Sequence, residues 1–324
     1  MATVRKLKSK RFLAEVRKNG HYKSKTFDSK VKAMAWAVEK EQYLSDEGLV
    51  QGKTLGELLE RYRDDITPQK KSHRTEHNRL NKFLRHSLAS LPLVDIRQSH
   101  FDDWIRATLK EIKSSSVNRD LNLWSAVFEQ GKRWGWTNRN PVRGLSRPKN
   151  PPHRDRLIDE REIERILDAL GFDGETVATQ RDVTAVAFLF ALETAMRQSE
   201  IWRLDWQRVF LEKRFVRLPI TKNGSKRDVP LSTTAVSLLK LLSPKQKGKV
   251  FKSNQHSSAQ IFRRSVRLAG IQDLTFHDTR HEALTRLAGK LEVLDLARMT
   301  GHRDPRSLMI YYNATAEQIA QRLD

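Results

Sequence analysis

Four prolines, Pro141, Pro148, Pro151 and Pro152, fall among basic side chains within residues 137–156. Proline offers no amide hydrogen and fixes its own φ, so neither a helix interior nor a central strand runs easily through such a stretch. It reads as a linker, and the chain on either side must fold around separate cores. The length of 324 residues agrees, because a compact domain commonly holds roughly 100–200.

Ahead of the linker two kinds of pattern follow one another. Residues 11–27 alternate apolar and polar positions around Asn19-Gly20, a pair that tolerates the positive φ of a tight hairpin turn. From Ser29 to about Leu44 the spacing becomes helical, with Val31, Ala35 and Val38, or Met34, Ala37 and Glu41, as the faces offered to a core. Thr54 with Glu57 is a capping-box signal opening a further helix through Leu55, Leu58, Leu59 and Tyr62. Val117, Leu121, Trp124 and Phe128 recur behind a run of serines able to cap, and the pattern fades at Trp136. These side chains read as bundle core rather than as a platform for stacked bases.

Beyond the linker, Asp159 and Glu162 again form a capping signal, and VTAVAFLFALETA is apolar almost all round, as a buried helix would be. RFVRLPI and RDVPLS are strand-like runs flanking TKNGSK, where Asn223-Gly224 marks a second hairpin. The rest is predominantly helical. The expected fold is multidomain and mainly α with small β-sheets: residues 1–52 a basic β-plus-helix module, 53–136 a helical module, 137–156 the linker, and 157–324 a mixed α/β, mostly helical domain.

Charge narrows the partner. Lys and Arg number 61 against 39 Asp and Glu, leaving a net charge of +22, and such a field attracts a polyanion. Residues 1–32 hold eleven Lys and Arg against Glu15 and Asp28 alone, the balance of an arm that lies on nucleic acid. A solvated surface or a membrane-surface binder is the blander reading of the same charge. Cysteine is absent, which excludes disulfides, thiolate catalysis and cysteine-ligated zinc and fits an intracellular compartment. The amino terminus lacks the apolar run of a signal peptide, and no segment approaches ~18 uninterrupted apolar residues. A soluble protein without a membrane partner is expected.

Five places in the last domain could carry chemistry: Arg197, Lys222, the cluster His277-Asp-Thr-Arg280-His281, His302 and the pair Tyr311-Tyr312. Singly each is weak, since a surface cation is usually solvated, a lone His more often satisfies a backbone group, and a Tyr near a chain end usually packs. Their order changes the reading. TAMRQSEI, TKNGSKRDVPL, FHDTRHEALT and TGHRDPRSLMIYY resemble the successive boxes of the tyrosine recombinase (phage integrase) family, strongly over about residues 155–324. The modules ahead of them match the family's arm-binding and core-binding domains in layout and only loosely in residues, with NRNPVRG closing the helical module as in the family.

The resemblance implies a metal-free, cofactor-free enzyme that cuts and rejoins double-stranded DNA, with Arg197 and Arg280 as catalytic arginines and Lys222 as the mobile lysine. His277 and His302 fill the histidine positions, and Tyr311, nine residues after His302, stands at the nucleophile's place. It further implies core-type and arm-type DNA sites and a homotetramer on synapsed DNA. A host bending factor or an excisionase would be accessory partners, and the bacterial cytoplasm, at the nucleoid, the place of action. A short tail helix with Ile319 and Leu323 on its apolar side would pack on a neighbouring protomer. Two positions depart from the pattern: Asn313 stands where many relatives have histidine, and Thr300 where leucine is frequent.

These residue types suit the chemistry without appeal to relatives. Attack on a phosphodiester builds negative charge on the non-bridging oxygens, which two guanidinium groups can hold through bidentate hydrogen bonds. A phenol with an ordinary pKa near ~10 must lose its proton as it attacks, so a base is needed, and His277 is the first candidate. The leaving 5′-oxygen needs a proton, which a lysine at a hairpin could supply, with Lys226 and Arg227 beside it as phosphate contacts. His302 would hydrogen-bond a non-bridging oxygen, and Tyr312 would pack.

Other readings stay open. His277 and His281 lie four apart, the spacing of a zinc pair in H-E-x-x-H peptidases, but Asp278 replaces the glutamate and no third ligand is evident. A DNA-binding recombination factor without catalysis would use the same basic modules, though the complete residue set argues for an enzyme. Within the enzymes, a resolvase or invertase competes with an integrase that moves a phage or other mobile element. The extra basic arm favours the integrase.

Overall fold

The structure, a computed structural model, describes residues 2–18, 21–47, 52–152, 154–219 and 226–312, and of Lys18, His21 and residues 42–47 the backbone alone. The two Asn-Gly turns, Lys222, Asn313 and the tail with Ile319 and Leu323 lie outside the described residues. The chain forms two compact units, Met1–Pro152 and His153–Asp324, and the described residues are mostly helical with two three-stranded sheets.

The first unit opens with strands β1 (Ala2–Lys6), β2 (Phe12–Lys18) and β3 (His21–Phe27), antiparallel in that order, with helix α1 (Lys30–Glu47) packed on them. β1 is invisible in the residue pattern. It forms because the alternating β2 offers a second edge, and Val4 pairs with Ala14. Of the α1 residues offered to a core, Ala37 is buried, while Val31, Met34 and Val38 are exposed; Ala33, in neither offered face, joins Ala37 against Ala14 and Val16. Small side chains let helix and sheet approach, and Trp36 closes the edge with its ring 5.7 Å from Phe27.

Helices α2 (Leu55–Asp65), α3 (His73–Leu84), α4 (Gln98–Thr108) and α5 (Ser114–Arg133) follow. The Thr54–Glu57 box is present, with Thr54 N donating to Glu57 Oε2 at 2.8 Å and Glu57 N to Thr54 Oγ1 at 3.2 Å, a cap of the kind that contributes about 1 kcal/mol. Trp124 lies at the centre of the bundle, stacked on Phe83 at 4.1 Å and met edge-on by Phe101 at 5.4 Å. Those rings are buried core. The serine run does not cap α5; Lys113 is its N-cap and makes no side-chain bond there, while the serines form the first turn.

In the second unit α6 (Glu160–Leu170) begins at the predicted Asp159 cap, with Glu162 N donating to Asp159 Oδ1 at 2.8 Å. The nearly all-apolar α7 (Gln180–Thr194) is its central helix, packed by α6, α9 (Thr233–Leu241), α10 (Gln255–Leu268) and α11 (Asp278–Ala288). Burying a ring such as Phe188 or Phe190 stabilises the fold by about 1.5–3 kcal/mol. A one-turn helix α8 (Gln198–Ile201) follows α7. Strands β4 (Val209–Phe210), β5 (Phe215–Leu218) and β6 (Arg227–Pro230) make an antiparallel sheet in which Leu218 pairs with Arg227. Helix α12 (Val293–Thr300) lies along β6, and a 3-10 helix, Pro305–Tyr311, packs on α11 and α12. No described helix is long and apolar enough to cross a membrane.

Candidate active site

Helix α7 ends on Ala195, whose φ of 50° is left-handed and uncommon for a residue with a side chain. The reversal brings Arg197 to the N-cap of α8. Glu200, one turn on, accepts from Arg197 N at 2.9 Å and from its guanidinium at 3.1 Å. The other side of Glu200 is gripped by Arg227 through two bonds of 3.0 and 2.7 Å. Burial alone would raise the Glu200 carboxyl; the Arg227 bonds and charge outweigh it and hold the group below its ordinary value.

Arg227 is therefore not the phosphate contact expected from its place after the hairpin. It is buried, and its Nε donates to Met299 O at 2.9 Å, tying β6 to α12. Gly301 allows this approach: its φ is 76°, and a Cβ there would stand 3.1 Å from Arg227 Cδ. Lys226 alone of the pair faces solvent.

Arg280 joins the remaining pieces. It projects from α11, is 6% exposed, and donates to Ala195 O at the end of α7 and to Thr300 O, at 3.1 Å, at the end of α12. Two helix carboxyl ends thus present partial negative charge to one guanidinium. Burial first and Arg197 second push the group down to about 10, so it remains a cation at neutral pH. Five N–H groups and two backbone acceptors leave donors for an anion.

The other predicted residues stand around this cation. His302 follows the Gly301 turn, half-buried, with Nδ1 2.6 Å from Thr300 Oγ1; burial and then Arg280, Arg197 and Arg227 push it down to about 4. His277 is the N-cap of α11, and burial and Arg280 hold it below the ordinary imidazole value. Both imidazoles are neutral at pH 7. Tyr311, half-buried, sets its ring edge-on to His281 at 4.9 Å. Burial raises its phenol above the usual value and Arg280 draws it back in part, so it is protonated at neutral pH. Tyr312, expected to pack, is exposed.

A groove of 790 Å³ lies between the β5–β6 hairpin and α12, lined by Lys213, Arg214, Lys226, Arg298, His302 and Arg303 together with Asp228 and Asp295. Cations outnumber carboxylates along it, as a phosphodiester backbone requires.

Of the six predicted positions, Arg197, His277, Arg280, His302 and Tyr311 are gathered, and Lys222 lies outside the described residues. Residue patterns missed the supporting shell. Glu200 sat in a quoted box without a role, and Arg227 was cast as a surface cation. Arg154 gave no signal at all. Its fork binds Asp278 at 2.6 and 2.8 Å and Asp273 at 2.9 Å, fixing the residue next to His277. Among the described residues no three His, Asp or Glu side chains form a metal-binding group.

Residues 156–318 match the model of the phage integrase family. Over 297 residues the chain is 37% identical to a Haemophilus influenzae protein named as an integrase/recombinase, covering 90% of this chain and 97% of that one. It is 33% identical over 282 residues to the shufflon-specific DNA recombinase of Escherichia coli, covering 84% and 72%. A lambda integrase dimer bound to a COC' core site has a similar fold, with TM-score 0.68 at 16% identity over 96% of this chain and 94% of that one. The Tn1549 transposon integrase on circular intermediate DNA reaches 0.66 at 18% identity over 84% and 100%.

Proposed function

The chain belongs to the phage integrase family, and from that premise we propose that Arg197, Lys222, His277, Arg280, His302 and Tyr311 carry the reaction, through a covalent 3′-phosphotyrosine. It is a site-specific tyrosine recombinase, an enzyme that cleaves and rejoins DNA strands. Arg197 and Arg280 hold the two non-bridging oxygens of the scissile phosphate, and each such preorganised donor is commonly worth about 10²–10³ in rate. Tyr311 attacks phosphorus. His277 takes the proton of Tyr311, and His302 hydrogen-bonds a non-bridging oxygen. Lys222, in the connection from β5 to β6, gives a proton to the leaving 5′-oxygen. Because the phosphotyrosine conserves the energy of the broken bond, this course requires neither ATP nor a metal.

The observation that carries the proposal is the placement of Arg280, whose fork joins the turn bearing Arg197 to the turn bearing His302. We assign residues 1–52 to arm-type DNA, 53–136 to core-type DNA and 157–324 to catalysis, with 137–156 as linker. The solved relatives bound to DNA as a dimer and, on a Holliday junction, as a tetramer support DNA as the partner and a homotetramer as the working assembly. Such an enzyme acts in the bacterial cytoplasm on the nucleoid, with a bending factor or excisionase setting direction.

Integration and excision of a mobile element is the favoured role, supported by the basic first module and the integrase relatives. A resolvase or invertase of the same chemistry is the second reading, supported by the 33% identity to the shufflon-specific recombinase. Sequencing the DNA that flanks the gene separates them. Direct repeats there that the purified protein recombines support integration, whereas inverted repeats whose intervening segment it flips support the second reading.

A further inference from the structure

Asp278 is a buried carboxylate, 2% exposed, at the head of the helix that bears Arg280, and the proposed reaction gives it no part. Its Oδ2 accepts from Thr275 N at 2.7 Å and from Thr275 Oγ1 at 2.9 Å, while Asp278 N donates to Thr275 O at 3.0 Å. These bonds close a turn with His277 inside it. Arg154 meets the charge that remains, its Nε and Nη2 donating to Oδ1 and Oδ2 at 2.6 and 2.8 Å. Burial alone would raise the Asp278 carboxyl; the bonds from Arg154 and Thr275 outweigh it and hold the group below its ordinary value.

The same guanidinium reaches the other end of the segment. Nη1 donates to the Asp273 carboxylate at 2.9 Å, and Nη2 donates to Asp273 O. Asp273 has a φ of 48°, a left-handed value uncommon for a residue with a side chain. One fork therefore holds both ends of residues 273–278, the stretch that delivers His277 to the head of α11. Four residues after Arg154, Ile158 N donates to Oε2 of the buried Glu282 at 3.0 Å, one turn further along α11. Residues 154–158 thus run along this helix and are fastened to it at Asp278 and Glu282. A planar fork can meet two carboxylates and a carbonyl at fixed angles, which the point charge of a lysine cannot.

We infer that Arg154 is a positioning residue for strand cleavage, which acts through Asp278 and Asp273 to fix the turn that presents His277 to the reacting phenol. Arg154 also offsets the Asp278 charge at the imidazole. The groups around His277 are Arg280 of α11, Arg197 at the head of α8, Asp278 and His281; burial and then Arg280 hold it below the ordinary value, and Asp278 pulls it upward. Without Arg154 that upward pull is no longer offset. The inference rests on the reading of His277 as the group that takes the proton of Tyr311.

The test compares the full chain, labelled with ¹⁵N-histidine, with Arg154→Gln and Arg154→Lys. Glutamine loses both charge and fork, and lysine loses the fork alone. Two quantities are read: the rate of covalent adduct formation on a saturating nicked suicide duplex between about pH 5 and 8, and the pH midpoint at which His277 takes up a proton in the DNA-free protein. Arg154→Gln should form the adduct about 10–100-fold more slowly, the scale on which a small misplacement of a reacting group acts, with DNA affinity unchanged. Its His277 midpoint and the acid limb of its rate should both move to higher pH. Arg154→Lys should keep the wild-type midpoint and cleave at an intermediate rate. A role in folding alone would lower the melting temperature and leave the midpoint in place. Arg154→Gln cleaving at the wild-type rate, or more slowly with an unmoved midpoint, overturns the inference. If Arg154→Gln fails to fold, the lysine variant decides: slower cleavage at an unchanged melting temperature supports the fork's role, and the wild-type rate overturns it. A His277→Gln variant that cleaves as wild type defeats the catalytic reading and the inference with it, and the midpoint separates that result from a failure of Arg154 to act on His277.

Discussion

Arg280 and Arg227 lie buried, bound to helix carbonyls and to Glu200, whereas Arg5 and Lys25 of the first sheet and Lys8 and Arg11 of its β1–β2 connection face solvent. Both sets serve DNA in this account, yet by different physics. A buried guanidinium loses hydration and must be compensated by bonds that also aim it, so its position is specified to a fraction of an ångström. An exposed cation attracts a polyanion from many positions and releases counterions wherever it lands. Preorganised charge is written into tight residue motifs, and solvated charge into little more than composition.

Removing the partner of a buried cation should therefore do the greatest harm. Glu200→Ala leaves Arg227 buried without its carboxylate, and breaking such a pair commonly costs about 3–5 kcal/mol, so thermal unfolding should shift down by several degrees and cleavage should fall with it. The corresponding change at the surface, Asp28→Ala, removes the exposed partner of Arg11 at 3.0 Å and should leave the melting temperature where it was. Equal shifts from the two would erase the contrast.

Deletion of residues 1–52 is the next largest effect. Recombination between long sites should be lost, while cleavage of a core-site oligonucleotide persists. Each phosphate contact removed should flatten the dependence of log K on log salt by about 0.9. An unchanged salt slope would reduce the first module to a solvated appendage and remove one side of the comparison.

The smallest effect is an absence of titration. A histidine of ordinary pKa near ~6.5 is about nine-tenths protonated at pH 5.5, but His302, held at about 4 by burial and three arginines, should show no proton uptake in the DNA-free protein between pH 7.5 and 5.5 by NMR. Because its folded value is depressed, it contributes stability above the unfolded value of ~6.5 that is lost as pH falls toward 4. A midpoint near 6.5 would mean that the arginine cluster is far better solvated than its burial indicates.

The same division explains how much the residues disclosed in advance. Both capping boxes, at Thr54 and Asp159, were legible because a cap is local chemistry between neighbours in sequence. The positions proposed for the site were picked out because their boxes keep order and spacing. Contacts between distant segments were not: Arg154 meets Asp278 across 124 positions, and Arg227 meets Glu200 from another element. The α1 face was misread for a related reason. Helical period alone offered Ala37 together with Met34 and did not offer Ala33, and only the close approach of the sheet selects the two alanines.

The central claim is that Tyr311, held beside Arg280 with its ring on His281, is the group that becomes joined to DNA. Tyr311→Phe removes one oxygen with little change in volume, so DNA binding should survive. The measurement is covalent trapping on a nicked suicide duplex, in which the small 5′ fragment diffuses away, followed by denaturing electrophoresis. Wild type and Tyr312→Phe should both give the slowly migrating adduct, and Tyr311→Phe should give none. An adduct in Tyr311→Phe, or its disappearance in Tyr312→Phe alone, would contradict the account.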